Sequence, residues 1–218
     1  LTPADLDELV RSRRCKGSAD LRTFADVANR IPRISGEVLL WLQTALRDET
    51  AKWHAAALLS FEHVKARPLA KDLMRAALTE LNPSYNRAFV RPLRGAVSWA
   101  EAVDMMLAQA DAGGPIERGG VGRVSYWLAI EFRDRDAESS QRLACWKLEE
   151  FVRASDVVVL RCLIAGMRFD PEGYPESARA LLPVALEKAR NHPDEYVKKR
   201  LEIQLGESKG PFPMLVTR

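Results

Sequence analysis

Helix starts recur along this chain at a nearly constant interval, and that interval constrains the fold more than any other feature. Candidate first helices begin near Glu49, Ser84, Gly120, Asp156 and Pro193, spaced by 35, 36, 36 and 37 residues. Between them lie candidate second helices at 34–46, 69–81, 99–110, 138–152 and 176–189, and an earlier pair at 2–13 and 18–30 opens the series. Prolines and glycines punctuate the joins: Pro32, Arg67-Pro68, Asn82-Pro83, Gly113-Gly114-Pro115, Asp170-Pro171, Tyr174-Pro175 and His192-Pro193. About eleven or twelve helices on short loops are expected.

The periodicity inside the runs is helical. Val38, Trp41, Leu42 and Ala45 share one face, as do Trp53, Ala56, Ala57 and Phe61, and Leu69, Leu73, Met74, Ala77 and Leu81. The one strand candidate, Val157 to Leu160, runs on through Arg161 into Cys162-Leu163-Ile164 and opens with Ser155-Asp156, a helix N-cap signal. It is read as helix, because β-branched residues lose only about a few tenths of a kcal/mol each in that state. The expected fold is therefore all-α. Anchors recur as well: Trp53, Phe89, Val124, Leu160 and Val197 fall 36, 35, 36 and 37 apart. Phe61, Phe132 and Phe169 are separated by 71 and 37, two periods and then one.

The acid-opened segments RDETAKWHAAALLSF, RASDVVVLRCLIAGMRF and NHPDEYVKKRLEIQLG resemble HEAT-like repeats, over roughly residues 34–206. The resemblance is sharpest at Asp156 and Asp194, each at the start of its helix. It is weakest over 84–97, where Arg87, Arg91, Pro92 and Arg94 interrupt the pattern. A proline inside a helix costs about 3 kcal/mol, so Pro92 should kink or break its helix. The resemblance implies a right-handed α-solenoid of about five to six helix pairs. Residues 1–208 would form one domain, with 1–33 as capping helices and 209–218 as a non-helical tail. The plainer reading is a helical bundle with evenly sized helices.

Composition narrows function by exclusion. Lys+Arg 33 against Asp+Glu 30 gives a net charge of +3, too little by itself to demand nucleic acid. Cys15, Cys145 and Cys162 have neither disulfide-framework nor zinc spacing, and they favour a reducing compartment. With no basic-then-apolar leader and no apolar run of membrane length, a cytoplasmic protein that does not enter a membrane is expected. No catalytic residue, metal site or cofactor signature is found. His54 beside Trp53 and His63 after Glu62 match no catalytic motif, and the cysteines sit in apolar contexts that suit core packing. The run Gly113 to Arg123 is read as a flexible loop between repeats, the longest break in the series. Its glycines with Arg118 and Arg123 give it a weak anion-binding character.

Charge is uneven. Lys65, Arg67, Lys71, Arg75, Arg87, Arg91 and Arg94 face only Asp72 and Glu80 over 65–98, and residues 9–33 carry a similar excess. Residues 170–208 are mildly acidic. Five tryptophans, Trp41, Trp53, Trp99, Trp127 and Trp146, are expected mostly between helices, with Trp99 the most exposed. In HEAT-like arrays the second helices line the concave side. That resemblance places Arg47, Lys71, Arg75, Glu101, Asp104, Arg142, Glu149 and Arg179 on a surface for a charged protein partner. The expected function is a non-catalytic, monomeric protein-binding module, one form of which is a stoichiometric inhibitor such as a bacterial toxin-immunity protein. The alternative resemblance is to HEAT-like DNA glycosylases of alkylated bases, with Asp104 beside Trp99, Arg75 and Arg94 as the nearest analogue of their site.

Overall fold

The computed structural model describes residues 2–14, 36–61 and 66–207, and all regular structure among them is helical. In chain order the α-helices are α1 (Pro3–Arg14), α2 (Gly36–Ala45), α3 (Lys52–Leu59), α4 (Ala70–Thr79), α5 (Asn86–Val90) and α6 (Trp99–Ala112). They continue with α7 (Pro115–Glu131), α8 (Ala137–Arg153), α9 (Val157–Ile164), α10 (Glu176–Arg179), α11 (Leu181–Arg190) and α12 (Glu195–Gln204). Short 3-10 turns occupy Arg67–Leu69, Arg91–Gly95 and Pro171–Gly173. The helix expected over 18–30, Cys15, His63 and the tail lie outside the described residues.

Local signals account for many boundaries. Asp156 caps α9 by accepting from the Val158 and Val159 N–H groups, so three successive valines begin a helix and not a strand. Asp194 caps α12 through the Val197 N–H, and Asp136 caps α8 through the Ser139 N–H. Ser98 and Glu101 form a reciprocal capping box at the start of α6. Pro92 does break its helix: α5 stops at Val90 and the chain tightens into the 3-10 turn, with Pro92 itself buried. The helix expected over 176–189 is two, α10 and α11, joined at Ala180. Pro183 explains the break, because its ring and missing N–H oppose a continuous helix from residue 179.

The helices meet in two successions. The expected first helices α3, α5, α7, α9 and α12 touch one after another, and so do α4, α6, α8 and α11. Each of these four also packs on the following first helix, α4 on α5, α6 on α7, α8 on α9 and α11 on α12, and α2 packs in the same way on α3. The recurrent anchors Phe89, Val124, Leu160 and Val197 are all buried in the shared core, and Trp53 packs on Phe89 with ring centroids 4.8 Å apart.

Polar ties join successive helices, three of them at a similar interval of 33 to 35 residues. The Trp41 indole N–H donates to Asp7 on α1 at 2.8 Å, and the Trp146 indole N–H donates to Asp111 on α6 at 2.8 Å. Arg161 on α9 grips the α12 cap Asp194 with two nitrogens, which holds the Asp194 carboxyl below the usual range. Arg87 on α5 binds the buried Glu131 at the end of α7 at 2.6 Å.

Two expectations are overturned at the centre. The segment Gly113 to Arg123 is not a long loop: Pro115 opens α7, which runs straight through the glycines, and only Gly113 and Gly114 separate it from α6. The glycines instead let backbones meet. A Cβ on Gly120 would lie 2.2 Å from the Leu78 carbonyl oxygen, and one on Gly122 would lie 2.2 Å from the Cys162 carbonyl oxygen. Arg123 is buried in the same place, donating to the Leu78 and Glu80 carbonyls at 3.0 Å, to Ile116 at 3.2 Å and to the Cys162 sulfur at 3.1 Å. It satisfies the open carbonyls at the end of α4 and is not presented to an anion. Trp99 is also not exposed. It is a core residue at 5% exposure, edge-on to Phe132, because the first turn of α6 faces α7.

Candidate functional site

The expected partner-binding residues lie mainly on the second helices, and the structure shows how each is used. On α6, Asp104, Leu107 and Asp111 fall at helical steps along one side. On α8, Arg142, Cys145, Trp146 and Glu149 do the same. Since α6 and α8 touch, these seven residues enclose a shallow groove of about 320 Å³. Arg142 pairs with Asp104 at 2.6 Å across it, and the Trp146 indole bridges to Asp111. Among the lining residues the carboxylates of Asp104, Asp111 and Glu149 outnumber the one guanidinium of Arg142, the Trp146 indole forms an apolar wall, and the nearby Arg153 guanidinium also feels the Asp111 and Glu149 charges.

Three of the expected residues, Asp104, Arg142 and Glu149, are thus brought together. The others are not. Arg47 reaches Asp72 on α4 at 3.0 Å. Glu101 is held by the Ser98 cap and by Arg67 at 2.7 Å, and those hydrogen bonds keep its carboxyl below the usual carboxylate range. Lys71 and Arg75 project from the exposed side of α4, and the Lys71 carbonyl accepts from Gln109 at 3.0 Å. Arg179 turns back onto its own segment, donating to the Pro171 and Tyr174 carbonyls at 3.1 Å.

Sequence reasoning missed Asp111 and Trp146, although a signal existed. Asp7 and Trp41 stand 34 residues apart, Asp111 and Trp146 stand 35 apart, and both pairs are hydrogen-bonded. The indole beside Asp104 is Trp146 and not Trp99. Arg94 lies at the far end of α7, 4.0 Å from Glu131. Of the residues set around Asp104 by the glycosylase resemblance, Trp99 is buried in the core and Arg94 stands beside Glu131.

Burial and the neighbouring Glu149 charge push the Cys145 thiol up, away from the reactive thiolate. Among the described residues, no three His, Cys, Asp or Glu side chains gather as a metal-ligand set, and no helix is long and apolar enough to cross a membrane. No known protein family, curated protein or solved structure matches the chain.

Proposed function

We propose that the chain is a HEAT-like α-solenoid that binds a protein partner along its second helices, with the α6–α8 groove seating a basic side chain of that partner. Two features support the solenoid reading. One is the succession of contacts α3–α5–α7–α9–α12 beside α4–α6–α8–α11. The other is the repeated Asp–Trp tie. One observation carries the binding reading: three carboxylates and an indole line one groove in which Arg142 is the one lining guanidinium. A lysine or arginine entering there gains carboxylate hydrogen bonds and an aromatic face together, the combination found at interface hot spots. Arg142 pairs with Asp104 and the Trp146 indole with Asp111, so Glu149 is the first acceptor for an incoming cation, which would compete there with the nearby Arg153 charge.

The test is capture of partners from the native cell on tagged protein, with and without nuclease, read by mass spectrometry. One protein recovered in stoichiometric amount after nuclease is expected. The Glu149→Lys and Asp111→Lys variants should reduce its affinity by more than tenfold. Full recovery on both variants would refute the groove as the contact, and loss of all protein on nuclease treatment would refute the protein-binding reading.

A further inference from the structure

The described basic residues between 67 and 94 line no part of the acidic groove, and three of them meet on another surface. Three arginines, Arg67, Arg91 and Arg94, rim a cavity of about 490 Å³ whose floor includes Leu59, Phe61 and Pro92. Their charges are only partly spent. Arg67 is fixed by the Ala96 carbonyl at 3.0 Å and by Glu101 at 2.7 Å. Arg94 stands 4.0 Å from Glu131, whose closer partner at 2.6 Å is Arg87. No carboxylate among the described residues pairs with Arg91.

Aromatic side chains continue this surface. The Arg87 guanidinium lies over the Trp127 ring at 5.4 Å, and Trp127 meets Tyr126 edge-on at 5.1 Å. The Trp127 indole also donates to the Pro83 carbonyl, next to the turn that carries Tyr85. Tyr85, which meets Trp53 edge-on at 5.4 Å, and Tyr126 remain 54% and 62% exposed. Guanidinium groups at a cavity rim followed by solvent-facing rings are the two elements that hold a nucleic-acid strand: the arginines take phosphates and the rings take unpaired bases.

We infer that this surface binds single-stranded nucleic acid, with phosphates at Arg67, Arg91 and Arg94 and bases stacked on Tyr85 and Tyr126. A duplex would keep its bases away from the tyrosines, and the overall charge of +3 gives little attraction beyond the patch itself. The site is separate from the α6–α8 groove, so it stands or falls independently of the protein-binding proposal.

The test is fluorescence anisotropy of a labelled oligothymidylate titrated with the full chain over a series of salt concentrations. Binding in the micromolar range at low salt is expected, weakening as salt rises. Arg91→Ala/Arg94→Ala should weaken it more than tenfold and lower the salt slope by about one. Tyr85→Ala/Tyr126→Ala should weaken it by about tenfold with the slope unchanged, because stacking releases no counterions. Arg91→Gln alone, at a side chain with no ion pair among the described residues, should still weaken binding severalfold. The proposal is overturned if no binding occurs at about a hundredfold higher protein than the micromolar range, or if the arginine variants bind like wild type. It is overturned too if a duplex of the same length binds more tightly. Equal binding of heparin, together with full binding by the tyrosine variants, would show a patch that reads charge alone and would also overturn it.

Discussion

Lys147 on α8 has no carboxylate paired to it among the described residues. Its half-buried side chain donates to the Gly166 carbonyl at 2.8 Å, and desolvation there lowers its pKa to about 8. The unfolded chain holds that proton up to the ordinary lysine range. The folded state therefore binds fewer protons between pH 8 and 10.5, and its stability rises across that window. Lys147→Met should accordingly be more stable than wild type at neutral pH, with the gap closing as pH climbs through the window. Urea unfolding at a series of pH values checks this, and a gap that stays constant would refute it. Other single residues were legible from their neighbours alone. Asp156 and Asp194 were expected as helix starts and are N-caps, because a cap is decided within three residues. Trp99 was not legible: its place after Ser98 set the helix start, but whether that turn faces α7 or solvent depends on a helix that begins sixteen residues later.

Helix α7 shows most clearly how an element departs from its local signal. Glycine lowers helix propensity by about 1 kcal/mol against alanine, so Gly119, Gly120 and Gly122 read as a loop. Packing reverses the preference, because α4 and α9 approach α7 more closely than a Cβ allows at Gly120 and Gly122. At Gly119 the nearest atoms to an added Cβ lie at 3.5 and 3.6 Å, an ordinary contact. The expected outcome is a split between neighbours. Gly120→Ala should cost about 2 to 3 kcal/mol, since backbone must move. Gly119→Ala should be neutral or stabilising by up to about 1 kcal/mol. Thermal unfolding of the two variants measures this, and equal losses would show that helix propensity and not helix approach governs α7.

At the scale of the whole molecule, contacts are concentrated at the centre. Among the described residues, helix α7 packs against α4, α5, α6 and α9, whereas α1 packs chiefly on α2, and α12 on α9 and α11. Openings that break few contacts need less free energy. Amide hydrogen exchange should therefore be slowest in α7 and fastest in α1, with α12 between them, and uniform protection would contradict this gradient. The ion pairs follow the same logic. Arg47–Asp72, Arg67–Glu101 and Asp104–Arg142 join residues 25, 34 and 38 apart, each between neighbouring second-helix segments. Residues expected to meet a partner are thus spent partly inside the molecule. That was not visible in the sequence, because mixed charges on a helix face look the same whether they meet water, a partner or the next helix.

Local periodicity and punctuation determined the helical class, the interval near 36, the anchors at Phe89, Val124, Leu160 and Val197, and the caps at Asp156 and Asp194. Each of these is settled by residues within a turn or two of one another. Tertiary structure alone decided that Trp99 is core, that the glycines of α7 are contact points, that Arg123 closes the end of α4, and that Asp111 and Trp146 complete a groove with Asp104 and Glu149. Those outcomes depend on how one helix is rotated against another about a period away. The rotation is set by the summed packing of many side chains, and no single stretch of sequence encodes it.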